Sequence, residues 1–369
     1  FFFDTPAGPQ RFTVGAHNNL RGTLGIRQPL YSGGKTFAAL RIARRFKRFS
    51  EESVRATRQQ VWASVETAFY DLLLASELVH VSHLALERAR ANRDRVQNLR
   101  NAGRVSDYDL LRSEVQVAER LPDSISAASS RKLAEIIFKN RVGLDQIQPI
   151  QIQGTFRDQT DLDWTRGTAL INLGLQTRPE LRQTAYQKDM RKQAETVAQA
   201  SSRPSINLLI NGQVEAQKSA FDFRKDDFRQ SWFSGLTVNI PLFDGFRTGA
   251  KVAQARADTR RAELEHQRLE RAILQEMFQA WYQLEETEKR AAAQQQVVTQ
   301  TRRGFKIAES RYASGVGTQL EVIDAQLTLS RAEGEYARAR RDRAVALVSL
   351  ELSLGVLGDP PLDGIEETE

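Results

Sequence analysis

Hydrophobic and polar residues alternate with a period of two in three stretches of the chain. In 232–243 Leu236, Val238, Ile240 and Leu242 are apolar, and Thr237 and Asn239 between them are polar. In 205–215 Ile206, Leu208, Ile210 and Val214 alternate with Ser205, Asn207, Asn211, Gln213 and Glu215. Leu20, Leu24, Ile26 and Leu30 stand in the same relation to Arg21, Thr23 and Arg27. Successive residues of a strand point to opposite faces, so each stretch predicts a strand with one apolar and one polar face. That pattern fits a half-buried globular strand or a membrane barrel strand. Aromatic residues towards the strand ends (Phe1 to Phe3, Phe12, Phe221, Phe223, Phe228, Trp232, Phe233) favour the barrel, because such rings settle at membrane–water interfaces.

The second pattern is helical and far longer. Residues 35–101 and 247–313 contain no proline and are dominated by Ala, Arg, Glu, Gln and Leu. Trp62, Val65, Phe69, Leu72, Ser76, Val79, His83 and Leu86 recur at steps of three and four, which predicts a heptad seam. Leu269, Ile273, Met277, Trp281 and Leu284 mark the corresponding face of the later stretch. Nearly 70 helical residues would extend roughly 100 Å, too long for a compact domain. Each helix is predicted to end at a glycine-centred break, Asn101-Ala-Gly103-Arg-Val-Ser106 and Ala313-Ser-Gly315-Val-Gly317-Thr318. Gly supplies the left-handed cap, and Ser106 or Thr318 can cap the helix that follows. Helical periodicity resumes with Leu110, Leu111 and Val115 and with Leu320, Ile323, Leu327 and Leu329, weakening at Pro122 and Gly334. Residues 143–180 look mixed and irregular, about 179–200 helix-like, and the tail after Gly355 loop-like.

These elements belong to an internal repeat. A shift of 212 residues superposes Leu24 on Leu236, Pro29 on Pro241, Leu30 on Leu242 and Gly33 on Gly245. Thr36/Thr248, Ala43/Ala255, Arg44/Arg256, Tyr70/Tyr282 and Gly103/Gly315 follow without a gap. A register kept that long points to duplication of a unit in which length matters. The helix and strand that precede 232–243 have no counterpart in the first copy, so about 40 residues are expected to be missing from its front, where any signal peptide or acylated cysteine would lie.

Composition narrows the chemistry. The 369 residues include no cysteine, which excludes disulfides, thiolate metal sites and cysteine nucleophiles. His17, His80, His83 and His266 form no metal-ligand spacing, so neither a metal, a cofactor nor a catalytic site is expected. The 53 Lys+Arg against 46 Asp+Glu give a net charge of +7 spread thinly among acids, a solvated surface and not a nucleic-acid footprint.

A duplicated unit of strand, Pro-Leu-aromatic-x-Gly, long helix, glycine turn and returning helix resembles the TolC-like outer-membrane efflux proteins. The most specific pieces are Ile240-Pro-Leu-Phe-Asp-Gly245 and Arg311-Tyr-Ala-Ser-Gly315-Val-Gly-Thr-Gln-Leu-Glu321-Val-Ile-Asp324-Ala-Gln326-Leu. The resemblance implies a mainly α protein with membrane β-barrel strands, its long helical hairpins forming a periplasmic tunnel. It implies a homotrimer with a twelve-stranded barrel in the Gram-negative outer membrane, contacting lipid, and a small mixed equatorial belt. The function so implied is a passive, non-enzymatic exit duct of a tripartite efflux or type I secretion system. The duct would meet a periplasmic adaptor directly and an inner-membrane pump indirectly.

By the same resemblance, Asp109, Glu321 and Asp324 match the family's aperture acids, and Tyr312 falls where a tyrosine hydrogen-bonds the acid matched by Asp109. Gly103, Arg104 and Val105, with Gly315, Val316 and Gly317, would form the adaptor-docking tips; a family arginine that helps lock the tip would fall at Gly317. The expected divisions are a barrel strand and external loop (1–31), a helical hairpin (32–142), an equatorial segment (143–180) and a helix (181–203). A strand pair (204–243), a second hairpin (244–354) and an equatorial tail (355–369) complete them. The rivals are a soluble coiled-coil scaffold, which the amphipathic strands disfavour, and a periplasmic adaptor, which would carry one hairpin and a lipoyl-like domain.

Overall fold

A computed structural model of the protein describes residues 2–5, 8–11, 17–158 and 167–358. Phe1, Phe12 and the tail beyond Gly358 lie outside the described residues. The chain forms two compact units, Phe1–Phe49 with Thr184–His266 and Ser50–Gln183 with Gln267–Glu369.

In the first unit β1 (Phe2–Thr5) and β2 (Gly8–Arg11) pair as an antiparallel hairpin within the stretch expected to be a loop. β3 (Asn18–Tyr31), β4 (Ser205–Lys218) and β5 (Arg229–Asn239) form an antiparallel sheet in the order β3-β4-β5. Leu24 lies opposite Gly212 and Gly212 opposite Trp232, while Leu208 lies opposite Leu236. This register gathers Leu24, Ile26, Leu208, Ile210, Trp232 and Leu236 on one face, as the alternation predicts. β5 stops short of the predicted 243. Pro241 has no N–H to give a ladder, so Pro-Leu-Phe-Asp-Gly makes the turn into the helix instead.

The turns that launch the long helices use equivalent positions of the repeat. Ser32 Oγ accepts the Thr36 N–H (3.2 Å) at the start of α1 (Lys35–Asn101), and Asp244 Oδ2 accepts the Thr248 N–H (2.9 Å) at the start of α5 (Arg247–Ala313). Each capture satisfies an amide that the helix leaves unpaired. Hydrogen bonds from Thr248 hold the Asp244 carboxyl below the usual carboxylate range. α4 (Pro179–Gln199) is tied to both helices, with Arg41 donating to Gln193 (2.7 Å) and Arg256 to Glu195 (2.8 Å).

The second unit holds the rest of α1 and α5 with α2 (Asp107–Val142), α3 (Gly167–Thr177) and α6 (Gln319–Leu354). The bounds of α1 and α2, moved by 212, are those of α5 and α6. Pro122 and Gly334 end neither returning helix; both run on unbroken, because tertiary packing outweighs the local propensity loss. α3 lies in the stretch expected to be irregular, and its Leu170 joins Leu181, Ile273, Met277, Leu350 and Leu354 in the largest core cluster. The α1 seam is only partly as predicted. Leu72 and Leu86 are buried, but Trp62 and His83 are exposed, and Ala68, Ala75, Ala89 and Val96 are buried instead. Small side chains let helices approach closely, so the contact line follows alanine more than bulk. His83 lies 3.6 Å from Glu87 on that open side.

Both hairpins close on a left-handed glycine at equivalent positions, Gly143 (φ 77°) and Gly355 (φ 68°). A Cβ on Gly143 would meet nothing within 4 Å, whereas on Gly355 it would lie 2.9 Å from the Arg178 Cα and 3.1 Å from Pro179. Gly143→Ala should therefore cost only the left-handed strain, about 1 kcal/mol. Gly355→Ala adds a backbone clash in the core and should cost about 3 kcal/mol. Melting midpoints of the two variants in detergent check the difference; equal losses would contradict it.

Candidate functional site

The two hairpin turns are built from the same parts. In the first, the Gly103 N–H bonds the Arg100 carbonyl (2.8 Å) and the Arg104 N–H the Leu99 carbonyl (2.9 Å). In the second, the Gly315 N–H bonds the Tyr312 carbonyl (3.1 Å), and the Val316 and Gly317 N–H groups both reach the Arg311 carbonyl (3.1 and 3.0 Å). Gly103 and Gly315 have φ of 69° and 78°, the left-handed cap that consumes the orphan carbonyls of a helix end. Ser106 and Thr318 cap the returning helices, accepting the N–H groups of Asp109 (3.2 Å) and Glu321 (3.3 Å). An ion pair braces each turn, Arg100 with Asp107 (2.5 Å) and Arg311 with Glu321 (3.6 Å).

The fold brings the two turns together. Val96, Ala308, Tyr312 and Val322 form a buried cluster with Leu99, Val105, Leu110 and Phe305 packed against it. Around it, Gln319 donates to the Asp109 carbonyl (2.9 Å) and Arg95 reaches Glu309 (3.5 Å). One step deeper lies a polar chain that the sequence reading missed. Asn92 donates to Gln116 (3.5 Å), Gln116 to Gln326 (3.1 Å), and Gln326 to the carbonyl of Ala85 (3.0 Å). All three side chains are at most 4% exposed. The signal was present: Gln319, Val322, Gln326, Leu329 and Glu333 recur at steps of three and four, so the polar members occupy core positions of α6. Glu333 extends the line, receiving Arg88 (3.0 Å) and Arg302 (3.2 Å).

The candidate residues take different places in this frame. Asp109 is half-buried, and its Oδ2 accepts from both the Ser106 amide (3.1 Å) and hydroxyl (2.7 Å), completing a reciprocal cap. The hydrogen bond expected from Tyr312 to Asp109 is not made. The Tyr312 hydroxyl is buried with no partner, and burial, followed by the nearby Asp109 charge, pushes its phenol above the usual range. Glu321 is held by Arg311, while Asp324 is exposed and its carboxylate makes no hydrogen bond or ion pair among the described residues. Arg104 is exposed, and Val316 at the tip is 70% exposed. Among the described residues no group of three His, Cys, Asp or Glu side chains could hold a metal ion.

Similarity to known proteins covers both copies of the repeat. A family model described as "Outer membrane efflux protein" matches residues 12–143 and 170–356, one stretch for each copy of the repeat. Protein CyaE of Bordetella pertussis is 24% identical over 94% of this chain and 74% of its own. The outer membrane protein TolC of Escherichia coli is 19% identical over 94% of this chain and 71% of its own. Among solved structures, the outer membrane protein VceC of Vibrio cholerae shares the fold with a TM-score of 0.73 at 17% identity, covering 92% of this chain and 87% of that one.

The polar chain and the tyrosine should differ under mutation. Gln326→Leu strands the Gln116 amide in the core, while the Ala85 carbonyl keeps its bond within α1, and should cost about 1–3 kcal/mol. Tyr312→Phe removes a hydroxyl that has no partner and should be neutral or stabilising by up to about 1 kcal/mol. Denaturant midpoints in detergent read both; a clear loss for Tyr312→Phe would mean its hydroxyl has a partner after all.

Proposed function

Because the chain belongs to the outer membrane efflux protein family, we propose that it is the outer-membrane exit duct of a tripartite efflux or type I secretion system. Members of the family are non-catalytic channels, and this chain is a conduit like them. In this reading three copies assemble, their sheets close a barrel in the outer membrane, and their helical hairpins line a periplasmic tunnel. The observation that carries it is the sheet. Neither of its faces is buried, and β3 and β5 each have only one paired edge among the described residues. A barrel strand in lipid must pair both edges, and further copies supply the missing partners. No described helix is long and apolar enough to cross a membrane.

Assembly in the tunnel is supported by α2. Leu111, Val115, Ile125, Leu133 and Ile136 are each about half exposed along it, an apolar stripe with no cover in one chain. At the hairpin tips Asp109, Glu321 and Asp324 would ring the aperture, where threefold symmetry repeats each carboxylate. Asp324 is the member free to act on ions, Glu321 is shared with Arg311, and Asp109 is engaged in capping. Gly103 to Val105 and Gly315 to Gly317 form the docking tip for a periplasmic adaptor, with Val316 as its apolar contact.

Purified in detergent, the protein should scatter light as three copies and insert into planar bilayers as a cation-preferring channel. Glu321→Gln with Asp324→Asn should weaken that preference and the block by multivalent cations; an unchanged preference would move the aperture elsewhere. Gly103 and Gly315 have nothing within 4 Å of a Cβ. Replacing both with leucine therefore costs about 1–2 kcal/mol of strain per site and should abolish export while trimer yield persists. Export that survives would remove the docking role.

A further inference from the structure

The polar face of the β3-β4-β5 sheet has a charge of its own. The apolar face carries a charged side chain only at its loop end, where Lys218 is paired with Asp222 and Asp227, while the opposite face carries Arg21, Arg27, Glu215 and Arg229. Arg21 lies opposite Glu215 and Glu215 opposite Arg229, so three of the four form one row across the strands. Within that row the carboxylate is already taken. Glu215 accepts from Arg21 (3.1 Å) and Gln213 (2.7 Å), and a third bond comes from Gln217. Arg229 and Arg27 are exposed and make no ion pair or hydrogen bond among the described residues. Arg27 sits six residues from Arg21 on β3, roughly 20 Å along the strand, so the uncompensated charge occupies two levels of the sheet.

We infer that this face is an anion-accepting wall of the outlet, and that the solutes it favours carry carboxylate or phosphate groups. The inference rests on the duct reading, which turns the polar face towards the lumen and the apolar face towards lipid. Arginine stays charged at any physiological pH and presents a fork of donors matched to carboxylate and phosphate oxygens. A low-dielectric barrel wall focuses such a field across a narrow lumen, raising the local concentration of anions and excluding cations. The neutral neighbours on that face, Asn207, Asn211, Gln213 and Thr237, can hydrate a passing solute without adding a charge. The tip acids select at the resting aperture, and once the aperture widens the outlet sets the remaining preference.

The test is made in planar bilayers under a KCl gradient at low ionic strength, where the Debye length is about 30 Å at 0.01 M. All variants carry Glu321→Gln and Asp324→Asn, which weakens the tip's own selectivity equally in each. Adding Arg27→Gln and Arg229→Gln should lower the chloride-to-potassium permeability ratio by at least about twofold. Arg27→Lys with Arg229→Lys should preserve it. The single glutamine variants should each shift the ratio less in the same direction, and they decide the matter if the pair fails to insert. An unchanged ratio in channels that insert and conduct overturns the anion assignment and leaves the duct standing. Absence of any current from the unmodified protein overturns the duct reading itself, and this inference with it.

Discussion

The buried face of α6 holds the hairpin unit together. Ala332, Ala337, Ala339, Ala344 and Ala346 are at most 6% exposed, and their small side chains let α6 approach its neighbours closely. Larger residues fill the interstices: Leu329, Leu347, Leu350 and Leu354 are at most 3% exposed. Close packing of this kind gains dispersion contacts and expels water together, and it tolerates little change in volume. Into this apolar seam are set Gln319, Gln326 and Glu333, each with a specific partner on another helix segment. A buried polar group without its partner is costly, so these residues fix the sliding register of α6 more sharply than leucine could. The tip inherits its geometry from that register.

At the tip, helix chemistry and ion chemistry draw on the same carboxylates. A helix N-terminus favours acids because its first amides are unpaired, and Asp109 is used in this way, through its bonds to Ser106. Glu321 is divided between its arginine and solvent, and Asp324 faces solvent alone. Three acids that look alike in the sequence thus have three different degrees of freedom. The unpartnered hydroxyl of Tyr312 and the unpartnered carbonyl oxygens of Asn92 and Gln319 lie within the same region. Such orphaned groups weaken the packing that surrounds them.

The sheet poses a different problem. A sheet that enters lipid must have its backbone groups paired, and its side chains must divide between two media. The division leaves charge on one face except for Lys218 at the loop end of β4. Phe233 departs from it by standing on the polar side, where its ring lies over Gly235 and covers that exposed backbone. The aromatic residues of the β4–β5 connection pack on one another, Phe221 edge-on to Phe223 at 5.4 Å, and Lys218 reaches back to Asp227 (3.0 Å) to close the loop.

The sequence by itself determined the long helices, the three long strands and the repeat, but not α3 or the β1–β2 hairpin, which lie in stretches expected to be loop or irregular. Periods of two and near 3.6 are imposed by backbone geometry, and caps such as Ser106, Thr318, Gly103 and Gly315 act over three or four residues, so all of these are local and legible. Legible too was the two-faced sheet, since strand register follows from the same alternation. Tertiary structure alone decided which of two equivalent copies would be central. α2 and α6 are related by the repeat, yet α6 buries a long series of residues and α2 only Ser113, Gln116 and Lys139. It also decided that alanines would form the α1 contact line, that Tyr312 would miss Asp109, and that Gln116 and Gln326, 210 residues apart in sequence, would meet. Those outcomes depend on the distance and rotation between helices, which no local pattern encodes.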